Sequence, residues 1–438
     1  MFAVHGTIVH AGAEFGTAEV KPDMYIVVEQ ATGKIVSVSA DKPAADVPVT
    51  ELPKDGFVMP GLVDAHLHAP QYAFSGIGTN RPLLEWLNEF TFPFEARCKQ
   101  VEWAQKVYNA VVGRTLRAGT TTAVYFATLH NDASIELARI CDEKGQRAFV
   151  GRVSMDRNSP DFYVEKSTEA AIADETRFVE DMLARKSEIV APIITPRFVP
   201  TCTAELMTAL GKLADKHHLL IQSHVSENLN EIAWVKELHS ECKSYTNVYA
   251  TYGLLNERTL LAHGVHLGDD ELALLSKTRG SIVHCPLSNF SLTSGVCPLR
   301  KLVGANVRVA LGTDICGGAN PSMLDAMKQA IIASQTTFIR AQESSPKPDE
   351  LPKPLGWREA LYLGTRAGAD VVGLADKIGY FAPGMQFDAL IIDPHAKDSS
   401  FDLFGWESPE QIAEKFIIAG DDRNITTVFV HGRKVFSA

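Results

Sequence analysis

The sequence lacks any C-x-x-C pair, and its seven cysteines, Cys98, Cys141, Cys202, Cys242, Cys285, Cys297 and Cys316, are scattered and odd in number. A disulfide framework is thereby disfavoured, and reduced thiols in a cytoplasmic protein are expected. Also missing is an uncharged apolar segment long enough to span a bilayer. The N-terminus, Met1-Phe-Ala-Val-His-Gly-Thr7, has no charged flank followed by a long apolar run, so no signal peptide is read there. The sequons at Asn289 and Asn424 then carry no meaning, because glycosylation requires secretion. Positive charge is in deficit: 42 Lys and Arg stand against 53 Asp and Glu, for a net charge of −11, and no basic stripe offsets it. A nucleic-acid backbone or an anionic membrane is disfavoured as the main partner.

What is present is an ordinary globular composition, 45% hydrophobic and 22% charged over 438 residues, enough to bury a large core. Both ends of the chain read as short alternating strands with one wet face: Phe2 to Val9, Met24 to Val28 and Ile35 to Val38 at one end, Phe387 to Asp393 and Thr427 to Phe436 at the other. Two half-sheets at opposite ends can pair into one small domain only if the middle brings them together. The middle alternates apolar, β-branched runs with amphipathic stretches. Candidate strands are Leu62 to His66, Thr121 to Phe126, Ala148 to Met155, Ile189 to Thr195, Leu219 to His224, Thr259 to His263, Ser281 to Cys285 and Arg308 to Thr313. Candidate helices are Val101 to Ala118, Ser134 to Lys144, Thr168 to Lys186, Ala204 to His217, Asn228 to Leu238 and Asp270 to Lys277. Eight such alternations over roughly 250 residues predict a TIM-type (β/α)₈ barrel. The expected division is a barrel over 58–376, with 1–57 and 377–438 forming a small β-sandwich domain. Tyr72 to Arg97 reads as a long loop holding a helix at Pro82 to Phe90, with Trp86 as core. Glu343 to Pro354 reads as a surface excursion.

In such a barrel chemistry sits at the strand C-terminal ends, and the polar residues obey that rule. His68 follows the first strand, Arg197 the fourth, His224 and Glu227 the fifth, His263 the sixth, Asn289 the seventh and Asp314 the eighth. On an extended strand His66 and His68 point to one face, which supplies half of a metal site. Zinc takes nitrogen and oxygen donors and, when catalytic, keeps a place for water. Three histidines and one carboxylate from His66, His68, His224, His263 and Asp314 would suffice, so one histidine has another task. Metal-bound water is acidified from about 15.7 toward about 7. Glu227, three residues after His224, is placed to act on that water as general acid and base. A two-metal site commonly uses a modified lysine ending the fourth strand, and Ile193-Ile-Thr-Pro-Arg-Phe198 has none.

Pro60-Gly-Leu-Val-Asp-Ala-His-Leu-His68, Ser223-His-Val-Ser-Glu227, Ala262-His-Gly264, His284-Cys-Pro-Leu-Ser-Asn289 and Gly312-Thr-Asp314 together resemble the amidohydrolase superfamily. Ala69-Pro-Gln-Tyr72, Leu83-Leu-Glu-Trp-Leu87, Thr91-Phe-Pro93, Gly119-Thr-Thr-Thr122, Thr195-Pro-Arg-Phe198 and Gly420-Asp-Asp-Arg-Asn-Ile425 narrow the resemblance to its purine aminohydrolases. The likeness runs from about Val58 onward. It implies hydrolysis of guanine at C2, giving xanthine and ammonia. It also implies one zinc ion per chain on His66, His68, His224 and Asp314, though imidazole and carboxylate donors accept iron as well. By the same resemblance Glu227 shuttles protons, His263 assists the attacking hydroxide and Asp314 helps move a proton to the leaving amine. The purine would lie against His68, Gln71, Arg197, Phe198, Glu227 and Asp314. Guanine offers a carbonyl O6 acceptor, which the planar donors of Arg197 can meet. Gln71 can pair with a ring edge, and Phe198 supplies a stacking face. The alternative is another mononuclear aminohydrolase or chlorohydrolase of the superfamily, acting on a different purine, a pterin or a triazine. Related deaminases suggest a homodimer.

Overall fold

The computed structural model describes residues 1–344, 347 and 351–438. Part of the expected excursion at 343–354 therefore lies outside the described residues.

The two ends of the chain do meet. Their strands form one hydrogen-bonded sheet in the order Arg433–Ser437, Ile425–Val430, Ala389–Ile392, Phe57–Pro60, Phe2–Ala11, Ala18–Glu29 and Lys34–Ser39, with Val49–Glu51 also paired to Phe2–Ala11. The halves join edge to edge, with Leu390 opposite Met59 and Ile391 opposite Val58. The sheet also folds back on itself: the Phe387 N–H donates to the Gly33 carbonyl and the Ile35 N–H to the Met385 carbonyl, both at 2.8 Å, and the Phe2 ring lies 5.9 Å from those of Phe387 and Phe429. One face builds a small core that includes Val4, Ile8, Ile26, Val58, Phe387 and Phe429, while on the strands next to the barrel the other face, expected to be wet, is buried in the main core through Val9, Phe57, Met59, Leu390 and Ile425. Phe57–Pro60 belongs to this sheet, and the chain crosses at Gly61 into the central strands.

Eight central strands follow: β1 Leu62–His68, β2 Thr120–Phe126, β3 Arg147–Gly151, β4 Val190–Pro192, β5 Ile221–Val225, β6 Thr259–His263, β7 Ser281–His284 and β8 Arg308–Leu311. Neighbours within β1 to β4, and within β5 to β8, pair in parallel. Their sequences are nearly continuous apolar runs because helices cover the outer face and side chains fill the inner one. The two arcs of four are not joined by continuous ladders. A single bridge, Ile194 to Ile221, links them on one side. On the other side the Asp314 N–H donates to the His66 carbonyl at 2.9 Å and the His68 N–H to the Ile315 carbonyl at 2.8 Å. The expected third and fourth strands are each interrupted, and Val153–Ser154 pairs separately with Thr195–Pro196. Pro192 and Pro196 lie within the two short ladders, on either side of the break.

The six expected helices appear as Val101–Arg117, Asn131–Lys144, Thr168–Ala184, Ala204–His217, Leu229–Leu238 and Asp269–Thr278. Side-chain caps begin three of them: Ser167 accepts from the Ala170 N–H, Thr203 from the Leu206 N–H and Asn228 from the Asn230 N–H. The loop helix is longer than its periodicity suggests. It runs from Leu83 through a wider turn at Leu87–Thr91 to Lys99, with Pro93 just after that wider turn.

One buried ion pair fastens the terminal sheet to β3. Arg147 donates to both oxygens of Asp388, at 3.1 and 3.2 Å, and Asp388 also accepts the His431 N–H at 2.7 Å. Removing one member of such a pair leaves an uncompensated charge. Asp388→Ala is expected to destabilise the protein by about 3–5 kcal/mol, read from urea unfolding.

Candidate active site

β1 is buried along its whole length and carries His66 and His68 at its C-terminal end. Asp64, on the same strand, is a hinge of the site: it accepts the Thr313 hydroxyl at 2.5 Å, the Thr313 N–H at 3.0 Å and the His66 N–H at 3.2 Å. Burial pushes its carboxyl up to about 7. These bonds draw the end of β8 onto β1. Gly312 permits that approach, because a Cβ there would lie 2.9 Å from both the Cβ and the carbonyl oxygen of His66. Asp314 follows in the left-handed region, at φ 48°, as does His263 at φ 77°. Non-glycine residues hold such angles where surrounding contacts fix them.

The donor atoms converge. Asp314 Oδ1 lies 3.2 Å from His66 Nε2 and 3.4 Å from His68 Nε2, and His68 Nε2 lies 3.2 Å from His224 Nε2. His224 Nδ1 is 2.6 Å from the Arg197 carbonyl, an acceptor only, so Nδ1 carries the proton and Nε2 the lone pair. Phe126, at the end of β2, packs against the rings of His66, His68 and His224 at centroid distances of 4.9, 4.5 and 4.9 Å. Burial lowers the basicity of all three imidazoles, which keeps them neutral and able to ligate. Burial acts to raise Asp314, but His66, His263 and His68 outweigh it and hold the carboxylate ionised. His66 Nε2 is buried without a hydrogen-bond partner. Buried lone pairs that face one another without protons between them suit a cation, and imidazole and carboxylate donors suit a divalent transition metal. Two overlapping groups have the geometry to hold a metal: His66 with His224 and His263, and His66 with His68 and Asp314. All five sequence candidates are thus brought together.

His263 Nδ1 meets Asn289 Oδ1 at 3.0 Å, so its Nε2 is turned inward, 3.4 Å from Glu227 Oε2 and 3.8 Å from Asp314 Oδ2. Burial disfavours a charged His263, yet Glu227 and Asp314 more than compensate and raise it. Burial pushes Glu227 up to about 7, with His263 opposing and Glu231 adding to the shift. Ser294 donates to Glu227 Oε1 at 3.0 Å, and the Glu227 N–H donates to Glu231 at 3.0 Å.

Glu227 and Asp314 open onto a cavity of about 410 Å³ that is also lined by His68, Gln71, Arg197 and Phe198. Leu83, Trp86, Leu87 and Leu292 complete an apolar wall. Trp86 is therefore both core, at 3% exposure, and cavity wall, where the sequence reading made it core alone. The sequence reading gives no role to Asp64, Glu95 or Ser294, although Asp64 lies inside the Pro60 to His68 motif and Glu95 two residues after Thr91-Phe-Pro93. Two other buried histidines stay outside the donor cluster, His239 against Arg157 and His284 at the end of β7.

Residues 57–435 match the amidohydrolase family, and the chain belongs to that family. Several of its relatives are guanine deaminases. The Dictyostelium discoideum guanine deaminase is 44% identical over 447 residues, covering 98% of this chain and 97% of the relative. The Mus musculus guanine deaminase is 46% identical over 391 residues, covering 88% of this chain and 84% of the relative. A crystal structure of guanine deaminase from C. acetobutylicum, with guanine bound in the active site, superposes with a TM-score of 0.90 at 39% identity, covering 99% of this chain and all of that one.

Proposed function

We propose that the protein is a guanine deaminase that hydrolyses guanine at C2 to xanthine and ammonia. The observation that carries this reading is that the donor cluster and a buried carboxylate, Glu227, open onto the same cavity as Gln71, Arg197 and Phe198. The similarity to guanine deaminases over nearly the whole chain supports it.

His66, His68, His224 and Asp314 would hold one divalent ion, zinc by the nature of the donors. Bound there, that ion makes water acidic enough to attack near neutral pH. Glu227 takes the water's proton on Oε2 and passes it to a ring nitrogen of guanine. His263 Nε2, turned inward by Asn289, steadies the developing charge on the attacking oxygen. Asp314 Oδ2 moves the second proton to the C2 amine, and the C–N bond breaks as the new C–O bond becomes the carbonyl of xanthine. Water and guanine enter; xanthine and ammonia leave. Arg197 donates to the O6 edge, Gln71 to the ring edge, and Phe198 stacks on the purine plane, with His68 beside Gln71 at the cavity floor.

The division of the chain is, in this reading, a (β/α)₈ barrel over 58–376 and a small β-sandwich domain built from 1–57 and 377–438. Among the described residues no helix is long and apolar enough to cross a membrane. We place the protein in the cytoplasm as a homodimer.

The deciding experiment is turnover of guanine set against adenine, cytosine and 8-oxoguanine. Guanine consumption is expected. Consumption of one of the others with guanine ignored overturns the assignment. Arg197→Ala should further reduce kcat/KM for guanine about tenfold more than for a purine without the O6 carbonyl, since a lost donor to a carbonyl penalises only the substrate that has one. Equal losses would make Arg197 a structural residue.

A further inference from the structure

Glu95 lies behind the cavity wall, not on it. Its side chain is wholly buried, on the short Phe92–Ala96 helix of the long loop after β1. Its two oxygens hold both polar residues proposed to read the purine. Arg197 Nη1 donates to Oε2 at 2.6 Å and Nη2 to Oε1 at 3.0 Å, while Gln71 Nε2 donates to Oε1 at 2.9 Å. Gln71 Oε1 is in turn engaged by the Cys316 N–H at 3.4 Å. Arg197 is 2% exposed, as is Gln71, so neither has solvent to orient it. The Arg197 guanidinium also lies over the Phe92 ring, 5.1 Å from its centroid, on the same helix as Glu95.

A carboxylate accepts and never donates, and that fact fixes the polarity of the wall. Gln71 must turn its NH₂ toward Glu95, and Arg197 must lay its fork along it. What Gln71 and Arg197 then present to a ligand is chiefly N–H groups, since Gln71 Oε1 is already engaged by the Cys316 N–H. We propose that Glu95 is a positioning residue that sets selectivity for the acceptor edge of the purine, by locking Gln71 and Arg197 in donor orientation. This rests on the guanine reading of the site. A purine with an amino group in place of O6 would present a donor to donors and be rejected.

The test is a one-pot competition between guanine and 2,6-diaminopurine, which carries that amino group. In Glu95→Gln the amide can donate as well as accept, so Gln71 is free to turn over. The guanine preference in kcat/KM is expected to fall by about tenfold or more, through a higher KM for guanine, with kcat within about threefold of wild type. A competition ratio does not depend on how much of the variant folds. Should Glu95→Gln yield no folded protein, Glu95→Asp, too short to reach both partners, is expected to lower the same ratio. An unchanged ratio with both substrates slowed equally, in whichever variant folds, overturns the proposal. Wild-type protein that ignores guanine overturns the functional reading and this inference together, whereas active wild type with unaltered selectivity in the variants overturns this inference alone.

Discussion

Glu227→Gln is expected to leave the metal content of the protein unchanged while lowering kcat by about 10²–10⁴-fold, the usual worth of a positioned proton carrier. The amide keeps the volume of the side chain and can still meet Ser294 Oγ, which lies 3.0 Å from Glu227 Oε1, so the cavity wall should hold its shape. What it loses is the ability to accept a proton. Glu227 is 3.4 Å from His263 and buried, and burial sets its carboxyl near 7. A step that needs the ionised form therefore speeds up as the pH rises through about 7 and slows as it falls below. The wild-type kcat/KM profile should show that acid limb, and the residual activity of Glu227→Gln should not. Elemental analysis beside the pH profile checks both halves; full activity in the variant refutes the role.

Chelation is expected to have the other large effect. Protein treated with a strong chelator and then freed of it should lose activity completely, since no other group in the cavity can make water acidic enough at neutral pH. Adding back one equivalent of zinc should restore it. Analysis of protein purified without added metal should find about one ion per chain, because three imidazoles and one carboxylate fill a single catalytic site. Full turnover by metal-free protein would show that His66, His68, His224 and Asp314 serve some other purpose.

The parts of this site that sequence reveals are those governed by short-range geometry. Alternation along a strand puts His66 and His68 together, and the strand-end rule of barrels gathers His224, Glu227, His263, Asn289 and Asp314. Glu95 is invisible to both rules. It comes from a loop helix, and its partner Arg197 is 102 residues away with no spacing to link them. Asp64 is similar: it stands two residues before His66, but its purpose is the bond to Thr313, 249 residues distant. The terminal strands teach the same lesson. Alternation marks a dry face on each strand, but it neither chooses between neighbours nor shows that Phe57–Pro60 and Ala389–Ile392 are buried on both faces and join the two halves edge to edge.

Placement of Ala389–Ile392 between Phe57–Pro60 and Ile425–Val430 also bears on how the polypeptide is made. As the ribosome releases the first sixty residues, the edge of Phe57–Pro60 has no neighbour, and it stays bare until residues 389–392 emerge. Bare edges recruit strands from other molecules. Nascent or prematurely stopped products ending before that point are thus the species prone to clump, and helpers that shield them during translation should raise the yield more than any aid given after release.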